Sequence, residues 1–306
     1  MLIAVILYFA FPQNTKDWLV FVCLLTNLSY LSYLIFPFTV LGKKQIITSS
    51  RGDGIDNLKI LIANVYQENR QSKDYHNLIA SCAPDVVLMV ETNKWWQNEM
   101  DSIEDIYHYQ LKAPLENTYG MLLYSKFPLT DAKVNYLVKS DIPSMEATVA
   151  LRSGQKVKLF CLHPEPPVPQ ENPRSTERDK EILIVAAKTK DIDLPVVVMG
   201  DLNDVAWSYT TELFGKVSGL LDPRRGRGFF NSFNAKYWLL RFPLDHIFCS
   251  TDFALSSIKR LQNCGSDHFP MSVDLKYMPA ATVKNEPLDL SEDDLALAEE
   301  KISAKI

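Results

Sequence analysis

The sequence predicts an α/β sandwich preceded by an apolar N-terminal helix. Three observations carry this expectation. The first 41 residues hold only two charges, Lys16 and Asp17. From about residue 57, short Val- and Ile-rich runs alternate with stretches of helical periodicity. Between the apolar start and an acidic end lie enough residues for one sizeable core.

Residues 18–41 run for 24 positions without a charge, which as a helix reaches roughly 36 Å. That length predicts a membrane span, with Trp18, Tyr30 and Tyr33 as its aromatic residues and Lys43, Lys44 and Arg51 directly after it. Residues 1–11 are also apolar but cover only about 16 Å, so they are read as part of a helical hairpin at most. No basic region precedes them, which argues against a secretory signal. The balance of Lys43, Lys44 and Arg51 against Lys16 favours a cytoplasmic domain, and one further span reverses it. The expected division is a membrane anchor over 1–42, a linker over 43–56, a folded domain over 57–277 and an acidic tail over 278–306.

Within the domain, candidate strands are 58–65, 85–90, 120–124, 147–151, 156–162, 195–199, 244–249 and 271–275. Candidate helices are 72–82, 93–102 and 175–190; the last carries Ile182, Leu183, Val185 and Ala186 on one side and charges on the other. Strands mixed with helices point to a layered α/β architecture. The tail carries Glu286, Asp289, Glu292, Asp293, Asp294, Glu299 and Glu300 and is expected to be solvated and largely disordered, with a short amphipathic helix over 293–302 as the alternative.

Composition limits the function classes. At 306 residues, 47% hydrophobic and 23% charged, the chain is neither disordered, collagen-like nor a small disulfide scaffold. A mean hydropathy of -0.07 excludes a multi-span transporter. A net charge of -5 argues against tight non-specific binding to nucleic acid. The five cysteines, Cys23, Cys82, Cys161, Cys249 and Cys264, are odd in number and widely spaced, so buried free thiols are expected rather than a disulfide framework or a zinc site.

Polar residues recur at the ends of the apolar strands. ILIAN ends in Asn64, DVVLMVE in Glu91 and KLFCLH in His163. PVVVMGDLND places Asp201 and Asn203 after a strand and a glycine. PLDHIFCS places Asp245 at a strand start, and GSDHFP places Asp267 and His268 before another. Each alone has a bland explanation as a turn or cap residue. Together they describe a site assembled at one rim of a sheet, where rigid strands hold acids, amides and imidazoles in register. His246 follows Asp245 along a strand and is expected on the opposite face. His76 and His108 have no such context.

This ordered set resembles the endonuclease/exonuclease/phosphatase superfamily, the deoxyribonuclease I-like fold, over about residues 57–276. The motifs are IAN at 62–64, VET at 90–92, LHPEPP at 162–167, GDLND at 200–204, LDHIF at 244–248 and SDHFP at 266–270. With the apolar start, the chain looks like the bacterial membrane-anchored branch, which implies the bacterial cell membrane with the side of the domain open. The resemblance implies a four-layer α/β sandwich, two packed mixed sheets flanked by helices, preceded by an N-terminal transmembrane helix. It implies a Mg²⁺- or Mn²⁺-dependent phosphoester hydrolase, a phosphodiesterase or phosphatase, in which water attacks phosphorus. A nuclease on DNA or RNA is the alternative, and a non-catalytic module of the same fold is a third reading that the intact set argues against.

By resemblance, Glu91 matches the principal metal ligand, Asn64 a neighbouring ligand or ligand-orienting amide, and Asp267 a further carboxylate for metal or metal-bound water. Asp201 matches the residue that orients or deprotonates water, and Asn203 an amide on phosphate. His268 matches a phosphate-side histidine, Asp245 its carboxylate partner and His163 a second phosphate-side donor. Arg178, opening the helix after His163, is a candidate for substrate phosphate. The expected partners are the lipid bilayer and a phosphoester, whether lipid headgroup, small molecule or nucleic acid; no protein partner is expected. Residues 224–242 mix Arg224, Arg225, Arg227, Lys236 and Arg241 with Phe229, Phe230, Phe233 and Trp238. Packing of these aromatics onto the sandwich is the expected reading; base stacking and contact with a membrane surface are the alternatives.

Overall fold

A computed structural model describes residues 15–50, 54–167 and 174–305, with side chains from Trp18 onward. Two sheets form its centre. In one the strand order is β10-β11-β1-β2-β4-β3, in the other β5-β6-β7-β8-β9. Their ranges are β1 Asn57–Asn64, β2 Val86–Val90, β3 Tyr109–Ala113, β4 Met121–Ser125, β5 Leu129–Asn135, β6 Ser144–Ala150, β7 Lys156–Leu162, β8 Val196–Asp201, β9 Asp245–Cys249, β10 Phe253–Arg260 and β11 Met271–Tyr277. The helices are α1 Thr15–Ile35, α2 Ser72–Cys82, α3 Lys94–Met100, α4 Thr176–Lys190, α5 Tyr209–Ser218 and α6 Glu292–Ser303.

Strand alternation builds the layers. Ile60 and Ile62 of β1 face Val197 and Met199 of β8 in the core between the sheets. Leu61 and Ala63, one step along, pack under α2 and α3 against Tyr75, Leu78 and Trp96. Val196 and Val198 face outward on the other sheet, against Ile182 and Leu183 of α4 and Leu213 and Phe214 of α5. The result is the four-layer sandwich of two mixed sheets flanked by helices that the motifs implied.

Among the described residues two strand pairs are parallel, β1 with β2 and β7 with β8. Parallel strands end on the same side, so Asn64 and Glu91 meet at one rim of the first sheet and His163 and Asp201 at one rim of the second. Gly200 permits the close β7–β8 approach beside that rim. Its φ is +144°, and a Cβ there meets the Leu162 carbonyl oxygen at 1.9 Å.

Several expectations are corrected. The charge-free run is helical only to Ile35, where Pro37 enters a 3₁₀ turn over Phe36–Phe38; proline lacks the N–H that continues a helix. The 1–11 segment and Arg51 lie outside the described residues. The expected linker is not free chain: Ile46 is buried, and the Ser49 N–H donates to the Leu255 carbonyl of β10 at 2.9 Å. The acidic tail is ordered. Ser291 and Asp294 form a capping box at the start of α6, Ala298 is buried against the outer layer, and Lys301 pairs with Asp179 at 2.8 Å. Asp294, which read as solvated, is thus matched by Lys216 of α5 at 3.1 Å, and the tail's own cation Lys301 reaches the acid on α4. The cysteines are all free, with Cys161, Cys249 and Cys264 buried, Cys82 half-buried and Cys23 exposed.

One buried acid has a consequence for stability. Glu181 on α4 is 3% exposed, its Oε1 has no partner among the described residues, and burial raises its pKa to about 8. The unfolded chain ionises this group near the ordinary carboxylate pKa while the folded chain holds the proton, so a folding penalty builds as pH rises and levels off above the folded value. Glu181→Gln removes that penalty. Thermal melts of the full chain in detergent should show no gain for the variant in acid and a gain growing by at most roughly 1.4 kcal/mol per pH unit toward pH 8. A gain that is equal at both ends of the range contradicts the burial account.

Candidate functional site

The rim brings both sheets' polar ends together. Asn64, 1% exposed at the end of β1, donates its amide to Glu91 Oε1 at 2.7 Å and to Asp201 Oδ2 at 3.0 Å. Its carbonyl oxygen accepts the Tyr66 N–H at 3.0 Å. The reversed amide would set an oxygen against two carboxylates, so this orientation follows from the network. Asn64, expected as a neighbouring metal ligand or a ligand-orienting amide, has its amide on both Glu91 and Asp201.

Glu91 and Asn203 both occupy the left-handed region, with φ of 58° and 50°. Non-glycine residues in that region carry backbone strain of about 1 kcal/mol or more, and such strain gathers at functional sites. The Asn203 N–H donates to Asp201 Oδ1 at 3.0 Å, and its side-chain amide donates to the Pro164 carbonyl at 3.0 Å. This ties the Asp201 turn to the segment after His163.

β9 runs antiparallel to β8 with Asp245 opposite Asp201. β11 runs antiparallel to β1 with Met271 opposite Ile62, so the chain just before β11 overhangs the rim. That places His268 between the two acids. Its Nδ1 lies 2.8 Å from Asp245 Oδ2 and its Nε2 lies 3.5 Å from Asp201 Oδ2. Burial opposes charging His268, but Asp245 and Asp201 outweigh it and lift its pKa to about 10. Burial raises Asp201 to about 7, opposed by His268 and assisted by Asp245. Asp245 stays below the usual carboxylate range, because the His268 charge and hydrogen bond overcome its burial.

Asp201, Asp245 and His268 also bring three ligand atoms within 4.8 Å of one another. His268 already engages both carboxylates of that trio, through a hydrogen bond to Asp245 and an ion pair with Asp201. Glu91 and Asp267 are two further acids at the rim, close enough for the charge of one to act on the other. Burial raises Glu91, and the charge of Asp267 raises it further, a repulsion that a bound divalent cation relieves. The oxygen donors fit a hard ion.

His163 is 3% exposed, and its ring lies 5.6 Å from that of Tyr119. Burial, then the charge of His268, lowers its pKa to about 4, so it is neutral. Its Nδ1 is buried with no partner among the described residues. That leaves one hydrogen-bonding nitrogen of His163 unsatisfied at the rim.

A family model of the endonuclease/exonuclease/phosphatase family matches residues 61–268. The chain belongs to this family. Its members are phosphoester hydrolases, and this family member is a hydrolase of that class with metal-binding acidic residues at the rim. The solved structures it resembles share the fold. TDP2 from D. rerio complexed with single strand DNA product aligns at TM-score 0.61 and 18% identity, over 72% of this chain and 99% of that one. The human Nocturnin catalytic domain with bound sulfate aligns at 0.59 and 14%, over 77% and 98%. An endonuclease/exonuclease/phosphatase from Beutenbergia cavernae aligns at 0.57 and 16%, over 73% and 72%. No curated protein matches the sequence.

In this family member the remaining candidates separate. Arg178 is not turned to a substrate. Its guanidinium donates to Asp179 at 2.8 Å and to the Asn203 carbonyl at 2.8 Å, and lies 3.4 Å from Asp204. It fixes the turn that carries Asp201 and Asn203. His246 faces away from the rim as alternation required, held by Arg224 at 2.7 Å and the Asp204 carbonyl at 2.8 Å. Arg224 itself is buried on Asp222, so it offers nothing to nucleic acid. Arg227 donates to the Ile46 carbonyl at 2.5 Å, and Arg225 lies 5.0 Å from the Phe38 ring centre.

Three contributors escaped the sequence. Ser232 Oγ accepts the Asp245 N–H at 3.0 Å, Tyr119 covers His163, and Asp204 accepts from Ser208 and from Thr211 at 3.0 Å. Only Asp204 carried a signal, as the last residue of GDLND. A cavity of about 550 Å³ lined by Lys59, Asp85, Lys126 and Arg152 lies at the other end of β1. Its lysines cap carbonyls at the end of α2 and its arginine pairs with Asp85, so its charges are satisfied structurally.

Proposed function

We propose that the chain is a membrane-anchored, Mg²⁺- or Mn²⁺-dependent phosphoester hydrolase acting on a lipid headgroup or other small phosphoester. The observation that carries this is the continuous set from Glu91 through Asn64 and Asp201 to His268 and Asp245, joined by hydrogen bonds and, between Asp201 and His268, by an ion pair at 3.5 Å. Glu91 and Asp267 would hold the ion. Bound there, a divalent cation supplies neutralisation of the phosphoryl oxygens and of charge developing on the leaving oxygen.

The chain's own residues do the rest. Asp201, with Oδ1 fixed by Asn203 and Oδ2 by Asn64, accepts the proton of the attacking water. His268, kept charged by Asp245, donates to a phosphoryl oxygen as charge grows in the transition state. His163 offers its free nitrogen to a second oxygen. Arg178 keeps the Asp201 turn in place.

The anchor reading rests on α1. The stretch Trp18–Phe38 is long and apolar enough to cross a bilayer, and only 6% of it is buried, unlike the core helix of a soluble domain. The nuclease reading has less support here, since Arg224, Arg225 and Arg227 are engaged within the fold.

The test is a panel on the full chain with a soluble diester, phospholipid vesicles, single-stranded DNA and plasmid. Hydrolysis should vanish with chelator and return with Mg²⁺ or Mn²⁺. Turnover that ignores chelator contradicts the proposal, and turnover confined to the DNA arms replaces it with the nuclease.

A further inference from the structure

The segment between Phe229 and Phe242 divides into two halves that behave differently. The first half packs as expected. The Phe229 ring lies 5.7 Å from Trp207, and the Phe233 ring lies 4.9 Å from His268. The second half projects. Tyr237, Trp238, Leu239 and Leu240 are 63%, 74%, 74% and 58% exposed. A run of four large apolar side chains in water is unusual for a soluble surface.

The projection is built, not frayed. The Asn234 N–H donates to the Leu240 carbonyl at 3.1 Å, and the Leu240 N–H donates to the Tyr237 carbonyl at 3.1 Å. Its base is tied to the catalytic rim. The Ala235 N–H donates to the Asp267 carbonyl at 2.6 Å, and Phe233 bridges to both Phe242 and His268. Two cations flank the tip. Lys236 lies 4.6 Å from the Tyr66 ring centre and Arg241 lies 4.9 Å from that of Phe269. Aromatic and leucine residues between cations are the composition of a bilayer-surface contact.

The same stretch of chain reaches the anchor. The Gly226 N–H donates to the Pro37 carbonyl at 2.8 Å, just where α1 ends. Phe38 is buried and stacks edge-on to Trp207, which in turn meets Phe229. Residues 226–242 therefore join the exit of the apolar helix, the rim with His268, and the exposed tip.

We infer that the 236–241 loop is a wedge that inserts into the surface of an anionic bilayer beside the site, so that the substrate is a lipid phosphoester drawn from the membrane plane. This deepens the hydrolase reading and rests on it for the substrate.

The test places a polarity-sensitive fluorophore on the full chain, reconstituted in vesicles of phosphatidylcholine and phosphatidylglycerol. It is attached through Leu239→Cys in a Cys23→Ser, Cys82→Ser background, with Ile106→Cys as the control. The label at 239 should be blue-shifted and quenched by lipids carrying a shallow spin label, and the label at 106 should not. Equal, water-like emission at both positions overturns the inference. A shift at 239 that follows protein concentration without lipid quenching overturns it in favour of a second copy of the chain.

Activity gives a second readout. Changing Trp238, Leu239 and Leu240 together to serine should lower hydrolysis of vesicle phospholipid at least about tenfold, with soluble-diester hydrolysis unchanged within about twofold. Equal losses on both substrates overturn the inference. If the wild type hydrolyses neither, the hydrolase reading fails, while the quenching at 239 still decides the wedge.

Discussion

Asp201→Asn should lower phosphoester turnover by about 10³-fold or more, because a positioned base contributes about 10²–10⁴ and acts here as part of a unit. Both carboxylate oxygens of Asp201 are in use, Oδ1 by the Asn203 N–H and Oδ2 by the Asn64 amide. Asparagine can accept only one of these donors and turns its own NH₂ against the other. It also ends the attraction that Asp201 exerts on His268. The variant should fold, with a modest loss of stability of about 1–3 kcal/mol from the mismatched donors. Circular dichroism and a melt alongside the rate measurement separate the two effects. Full turnover in a folded variant removes Asp201 from the proposed role.

Glu91→Gln should weaken activating metal far more than it alters the fold. Changes to groups that only orient ligands cost about 10–100-fold in metal affinity, so loss of the principal carboxylate should reach at least the upper figure. The measurement is the Mg²⁺ concentration for half-maximal turnover, together with the shift in melting temperature on adding Mg²⁺. In the wild type both respond at low metal concentration. In the variant the melting shift should disappear over that range and turnover should recover only at high concentration. An unchanged metal response places the ion elsewhere, and Asp201, Asp245 and His268 become the alternative ligands.

The rim was legible because its chemistry needs particular residue types at strand ends, and those types stand out against Val, Ile and Leu. Asn64, Glu91, His163, Asp201, Asp245 and His268 each lie at the end predicted for them. The strands that were missed share one property. β3, β5 and β10 are all edge strands. An edge strand has fewer neighbours and a wetter surface, so TDAKV in β5 lacks the apolar alternation that marks Lys156–Leu162. The tail helix was obscured differently. Its charges looked like solvating charge until Asp294 was placed against Lys216 of α5 and Lys301 against Asp179 of α4.

Arg178 and Arg224 show the same limit at the level of single residues. Both are arginines near catalytic motifs, and sequence alone offers them to phosphate. Tertiary partners decide otherwise, since a buried guanidinium takes the nearest carboxylates and carbonyls. The 224–242 segment was read as one unit with one behaviour. It is two, a packed half against the rim and an exposed half, and composition alone cannot set the boundary at Lys236.

The central claim is that water attacks phosphorus at this rim with the help of a divalent cation. Hydrolysis of the panel substrates in ¹⁸O-labelled water, followed by phosphorus NMR, tests it directly. The account predicts label in the phosphate-containing product of the wild type, with Mg²⁺ or Mn²⁺ present, and labelled product formed about 10³-fold more slowly by Asp201→Asn. Product without label in its phosphate, or labelled product formed as fast by the variant as by the wild type, contradicts it.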